Sequence, residues 1–109
     1  MITEDYVSYE VAKMLKEKGF DGDVWRWYRG NLRIDLDIAN IEDVPCPTHQ
    51  MAMKWLRDKG VDIIIIPILP NEYNPTKHYK WLSKNVNDWA GTYEEAVEAA
   101  LKYSLENLI

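Results

Sequence analysis

At 109 residues with a net charge of −5, the chain is sized for one domain spanning residues 1–109. A single cysteine excludes an internal disulfide framework, and 47% hydrophobic content argues against disorder. The balance of 13 Lys and Arg against 18 Asp and Glu opposes nucleic-acid binding, which rests on neutralising phosphates.

The N-terminus carries Glu4 and Asp5 and no basic region followed by an apolar run, so no signal peptide is expected and the predicted location is cytoplasmic. The first helix is predicted from about Tyr9 to Lys18. Ser8 is its cap, and Val11, Ala12, Met14 and Leu15 form its apolar stripe. Gly19 can take the left-handed conformation that ends a helix, and Phe20 then falls where a Schellman motif folds a hydrophobe back onto Leu15.

Asp23 to Asp37 reads as a hairpin around Gly30-Asn31, glycine first as a type II′ turn requires. That turn sets Arg29 opposite Leu32, Tyr28 opposite Arg33, Trp27 opposite Ile34, Arg26 opposite Asp35 and Trp25 opposite Leu36. One face then holds Trp25, Trp27, Leu32, Ile34 and Leu36, the expected core face. The other holds Arg26, Tyr28, Arg33, Asp35 and Asp37. Pro45-Cys46-Pro47 forces an extended approach to a second helix. Thr48 caps that helix, Met51, Ala52, Trp55 and Leu56 form its stripe, and Gly60 and Val61 repeat the closing motif.

Asp62 to Leu69, with four consecutive isoleucines, reads as a central strand, apolar on both faces and too short to span a membrane. Pro67 cannot donate to a ladder, so tight pairing is expected to stop near Ile66. Residues 70–75 form a loop, and Lys77 to Ser83 is a weaker alternating strand. Asn85 to Gly91 reads as a polar connection carrying one buried residue, Trp89. The third helix opens on a capping box, Thr92 with Glu95, and buries Val97, Leu101, Leu105 and Leu108. Glu94, Glu98, Lys102 and Glu106 are assigned to its polar side.

The predicted fold is α+β, a two-layer α/β sandwich in the order α-β-β-α-β-β-α. It has a four-stranded, mainly antiparallel sheet with the helices on one face. The repeated αββ unit hints at an internal duplication.

Three blocks carry a resemblance. They are Val7-Ser8-Tyr9-Glu10 with Leu15-Lys16-Glu17-Lys18-Gly19-Phe20, then Pro47-Thr48 leading to Ala52 and Lys54-Trp55-Leu56-Arg57, then Thr92-Tyr93-Glu94-Glu95-Ala96 with Ala99-Ala100-Leu101-Lys102 and Leu105. In these the chain resembles small uncharacterised proteins of Bacteroides-type gut bacteria and their phages and mobile elements. The resemblance implies an intracellular protein of such a source and carries over no activity or catalytic residue.

Few residues point to chemistry. Cys46 and His49 are the one thiol–imidazole pair close in sequence, just before a helix N-terminus that favours a thiolate. No third group orients them, and a small buried residue between prolines is the plainer reading. Asp35 and Asp37, with Glu42 and Asp43, offer oxygen ligands to a cation, but Arg26 and Arg33 share the face and pair with them more simply. His49 and His78 are isolated, and no metal or cofactor is predicted.

Five Trp and seven Tyr are the least routine feature. Trp25, Trp27 and Trp55 fit core faces. Arg26, Tyr28, Arg33, Asp35, Tyr79 and Trp81 define the candidate interaction surface, a polar-aromatic sheet face opposite the helices. Tyr28 stacked on Arg33 as an ordinary cross-strand pair is the competing account. The leading expectation is a non-enzymatic module that docks a protein partner, or a second copy as a homodimer, through that face or a strand edge. Single-stranded nucleic-acid binding on the same face is the first alternative. A small-ligand protein or thiol enzyme around Cys46 and His49 is the second.

Overall fold

The computed structural model describes residues 5–22, 24, 26–30, 32–35, 43–73 and 75–109. Within them the chain is α+β, with three helices and two antiparallel sheets of three strands each. The elements are α1 (Tyr9–Glu17), β1 (Arg26–Arg29), β2 (Leu32–Asp35), β3 (Val44–Pro45), α2 (His49–Asp58), β4 (Ile63–Ile68), β5 (His78–Ser83), β6 (Val86–Ala90) and α3 (Tyr93–Asn107).

The helix boundaries follow their local chemistry. The side chains of Ser8, Thr48 and Thr92 accept from the backbone N–H groups of Val11, Met51 and Glu95, satisfying donors that an isolated helix end leaves bare. Gly19 and Gly60 sit at φ +88° and +87°, which side chains disfavour. Each lets the next residue return to the helix. Phe20 N–H donates to Leu15 O and Val61 N–H to Leu56 O, both at 2.9 Å.

The hairpin register is also as read: Arg26 with Asp35, Trp27 with Ile34, Tyr28 with Arg33, Arg29 with Leu32. The expected Trp25–Leu36 pair and Asp37 lie outside the described residues. The facing, however, is reversed. Tyr28 and Val44 point into the main core, whereas Leu32 is 68% exposed and Trp27 is only half-buried. The reason lies elsewhere in the chain. Residues 5–8 run antiparallel to 47–49, with Val7 N–H on Pro47 O, His49 N–H on Asp5 O and a Tyr6–Thr48 bridge. They bring Tyr6 and Val7 against the Tyr28 side of the hairpin.

A single four-stranded sheet does not form. Val44–Pro45 adds to β1 as a third strand, giving the order β2-β1-β3. That strand is two residues long and proline-flanked, so it presents little ladder for a further strand to join. After α2 the chain starts a second sheet, β4-β5-β6. The isoleucine strand is therefore an edge strand, not a central one, and pairs with β5 through Ile68 opposite His78. Pro67 is accommodated within it because an edge strand has one side without ladder partners. Residues 86–90, expected as a connection, form β6, reached by a tight turn with Lys84 at φ +52°. Each half is therefore αβββ rather than αββ.

Helix α3 lies between the two halves. Val97, Leu101 and Leu105 join the core formed by α1, α2 and the first sheet, around Leu15, Leu56 and Tyr28. Ala96 and Ala100 meet Trp81 of the second sheet. Alanines let that sheet approach closely. A buried hydroxyl pair pins it: Ser104 Oγ donates to Ala100 O at 2.7 Å, so the 2.6 Å contact with Ser83 Oγ is a bond that Ser83 donates. Among the described residues no helix is long and apolar enough to cross a membrane.

Candidate interaction surfaces

The predicted surface residues fall on two different sheets. Arg26 and Arg33 converge on Tyr6, their guanidiniums 4.6 and 5.2 Å from its ring centre. Tyr28 lies beneath them, 7% exposed, its hydroxyl donating to Val7 O at 2.8 Å and its ring edge-on to Tyr9. Burial, with Cys46 close by, pushes its pKa up to about 12. Asp35 pairs by backbone with Arg26, and its side chain lies outside the described residues. Tyr79 and Trp81 occupy the inward face of the second sheet, against Tyr93 and Tyr103 of α3. The six residues do not make one exposed face, because their two hairpins belong to separate sheets.

The thiol and carboxylate readings lose their geometry. Cys46 is 1% exposed, its Sγ 3.7 Å from Val7 O, and burial pushes its pKa up, away from the thiolate a nucleophile needs. Asp43 is buried and takes a two-point contact from Arg29, Nε to Oδ1 at 3.0 Å and Nη2 to Oδ2 at 2.9 Å. That contact raises the Arg29 pKa further. Asp37 and Glu42 lie outside the described residues. Among those described, no three His, Cys, Asp or Glu side chains are grouped as a metal site would need.

One polar node has no precursor in the sequence reading. Glu98, assigned there to the solvent side of the third helix, reaches the N-termini of both other helices. Its Oε1 accepts from Ser8 N–H and from His49 Nε2, each at 2.8 Å, and its Oε2 accepts from Ser8 Oγ at 2.9 Å. A carboxylate beside two helix N-termini is favourably placed against both dipoles. His49, at the first position of α2, is 3% exposed. Its Nε2 carries the proton given to Glu98, and its buried Nδ1 has no hydrogen-bond partner. An open cleft of about 550 Å³ lies alongside, walled by Tyr6, Arg33, His49 and Glu94. No local pattern encodes this node, since its three members are brought together from different elements.

The second sheet exposes apolar side chains on one face. Register places Ile63, Ile65, Pro67, Tyr79, Trp81, Ser83, Val86, Asp88 and Ala90 on the face toward α3, with Pro67 and Asp88 exposed beyond the packed centre. The opposite face carries Ile64, Ile66, Ile68, His78, Lys80, Leu82, Asn87 and Trp89. Ile64 is 54%, Ile66 39% and Trp89 53% exposed. Trp89, expected to be buried, packs against His78 with ring centres 4.9 Å apart and the planes tilted by 54°, and Lys80 Nζ is 5.4 Å from its ring centre. The β5 half of this alternation was readable. The unbroken isoleucines concealed the β4 half, and β6 was read as a connection.

Comparison with family models, curated proteins and solved structures finds no match to this chain.

Proposed function

We propose that this chain is a non-enzymatic docking module, and that its contact surface is the outward face of β4-β5-β6, where it receives a partner protein. One observation carries the reading: Ile64 and Ile66, with Leu82 across from Ile64 and Trp89 beyond Lys80 from Ile66, share one outward pleated face, where Ile64, Ile66 and Trp89 are exposed while the reverse of the same sheet is packed. Adjacent apolar side chains left in water gain roughly 25 cal/mol for each Å² later covered. A contiguous patch of this kind marks an interaction site. The buried, protonated Cys46 and the carboxylate commitments of Asp43 and Glu98 leave the chemical alternatives with less support.

Light scattering and affinity capture from the native source test this, with Ile64→Lys beside the unaltered chain. The expected result is a captured protein that the variant loses. A chain that stays monomeric and captures nothing would count against it. Salt-sensitive binding of a short oligonucleotide through the same face would replace it with the nucleic-acid reading.

A further inference from the structure

We infer that the occupant of this face is a single amphipathic helix of a partner protein, with acidic residues flanking its apolar stripe. The inference rests on the docking reading above and adds the shape and charge of what docks.

Dimensions argue for one helix. Three strands spaced ~4.8 Å apart and ~20 Å long give a face of roughly 300 Å². A folded domain or a second copy of this chain needs about 800 Å² per partner for a stable interface, well beyond this floor. A helix is about 10–12 Å across with its side chains, close to the width of three strands. The molecule already shows the arrangement on the other side. α3, 15 residues long, lies on the inward face and touches all three strands. The outward face is a floor of the same size, set with Ile64, Ile66, Leu82 and Trp89.

Charge argues for acidic flanks. The outward positions of β4, β5 and β6 include Lys80 and His78 and no carboxylate. Lys84 lies in the β5–β6 turn at one end of the sheet. Lys80 is held over Trp89, at the middle of the face, where a helix lying along the strands would pass. The chain as a whole carries −5, so a second copy is repelled in general, while this face alone favours acidic flanks.

The test is a phage-displayed library of helices about five turns long. Leucines repeat at helical spacing, and the flanking positions are randomised among Glu, Gln and Lys. It is panned against the full chain. Glu-rich clones are expected, bound at least about tenfold more weakly by Ile64→Lys. In Lys80→Glu the preference should turn to Lys. Both substitutions fall on solvent-facing positions, and circular dichroism with urea midpoints checks that both variants fold. Clones indifferent to charge, clones that Ile64→Lys still binds, or an unchanged preference in Lys80→Glu would each overturn the proposal. If no helix is enriched, yet the chain self-associates and Ile64→Lys abolishes that, the helix fails while the docking face stands. If there is neither enrichment, self-association nor capture, both readings fall.

Discussion

The two sheets share a plan, three antiparallel strands following a capped helix, and meet their surroundings differently. In β2-β1-β3 the face that looked polar turns inward. Residues 5–8 fold over it, Tyr28 bonds Val7 O, and the guanidiniums of Arg26 and Arg33 lie over the Tyr6 ring. In β4-β5-β6 the face that looks inward packs Ile63, Ile65 and Trp81 against α3, and the face looking out also exposes apolar side chains, Ile64, Ile66 and Trp89. Alternation therefore tells which residues share a face but not which face is covered. The covering segment decides that: residues 5–8 lie over the Tyr28 face of the first sheet, and no described segment lies over the outward face of the second.

The comparison is broken most severely at α3, which serves both sheets. Leu101→Ala removes a fully buried side chain from the first core and is expected to cost ~2–5 kcal/mol by urea denaturation. Ala100→Gly, on the side of α3 facing Trp81, should cost only about 1 kcal/mol, chiefly through helix propensity.

Glu98→Ala comes next, at about 2–3 kcal/mol. It leaves Ser8 N–H and the buried His49 without their acceptor. Backbone hydrogen exchange should rise first at the N-termini of α1 and α2, with β5 and β6 little affected.

Tyr28→Phe sharpens the account of the covered face. Losing the bond to Val7 O is expected to cost about 1 kcal/mol. Tyr28 releases its proton near 10 when unfolded and at about 12 when folded. The folded state thus holds the proton more tightly. Its contribution is complete below about pH 10 and is lost as pH rises toward 12. Phenolate absorbance should show one late-titrating tyrosine that the variant lacks.

The smallest effect is at the β5–β6 turn. Lys84 has φ +52°, a region costing a side chain roughly 1–2 kcal/mol. Lys84→Gly should raise the thermal midpoint by recovering part of that, on the order of 0.5 kcal/mol after glycine's greater unfolded freedom is subtracted. An unchanged or lowered midpoint would show that the turn is unstrained.

Much of the fold was legible in residues 8–20, 48–61 and 92–105, and in the Gly30 turn. Caps, glycine stops and the hairpin register depend on side chains within a few positions of each other, so local spacing suffices to specify them. The candidate surface was less legible. Tyr28 and Trp81 look alike in sequence to exposed aromatics, and Glu98 looks like any solvated helix carboxylate. Trp89 sits in a stretch whose polarity hides a strand.

The chain's local order thus set where helices begin and end, how β1 pairs with β2, and which residues alternate together. Tertiary structure alone decided that Tyr28 faces inward, that the isoleucine strand lies at an edge, and that Glu98 joins two helix ends. Those outcomes turn on which distant segment arrives against a given face, and burial and hydrogen bonding across that distance leave no periodic trace in the sequence.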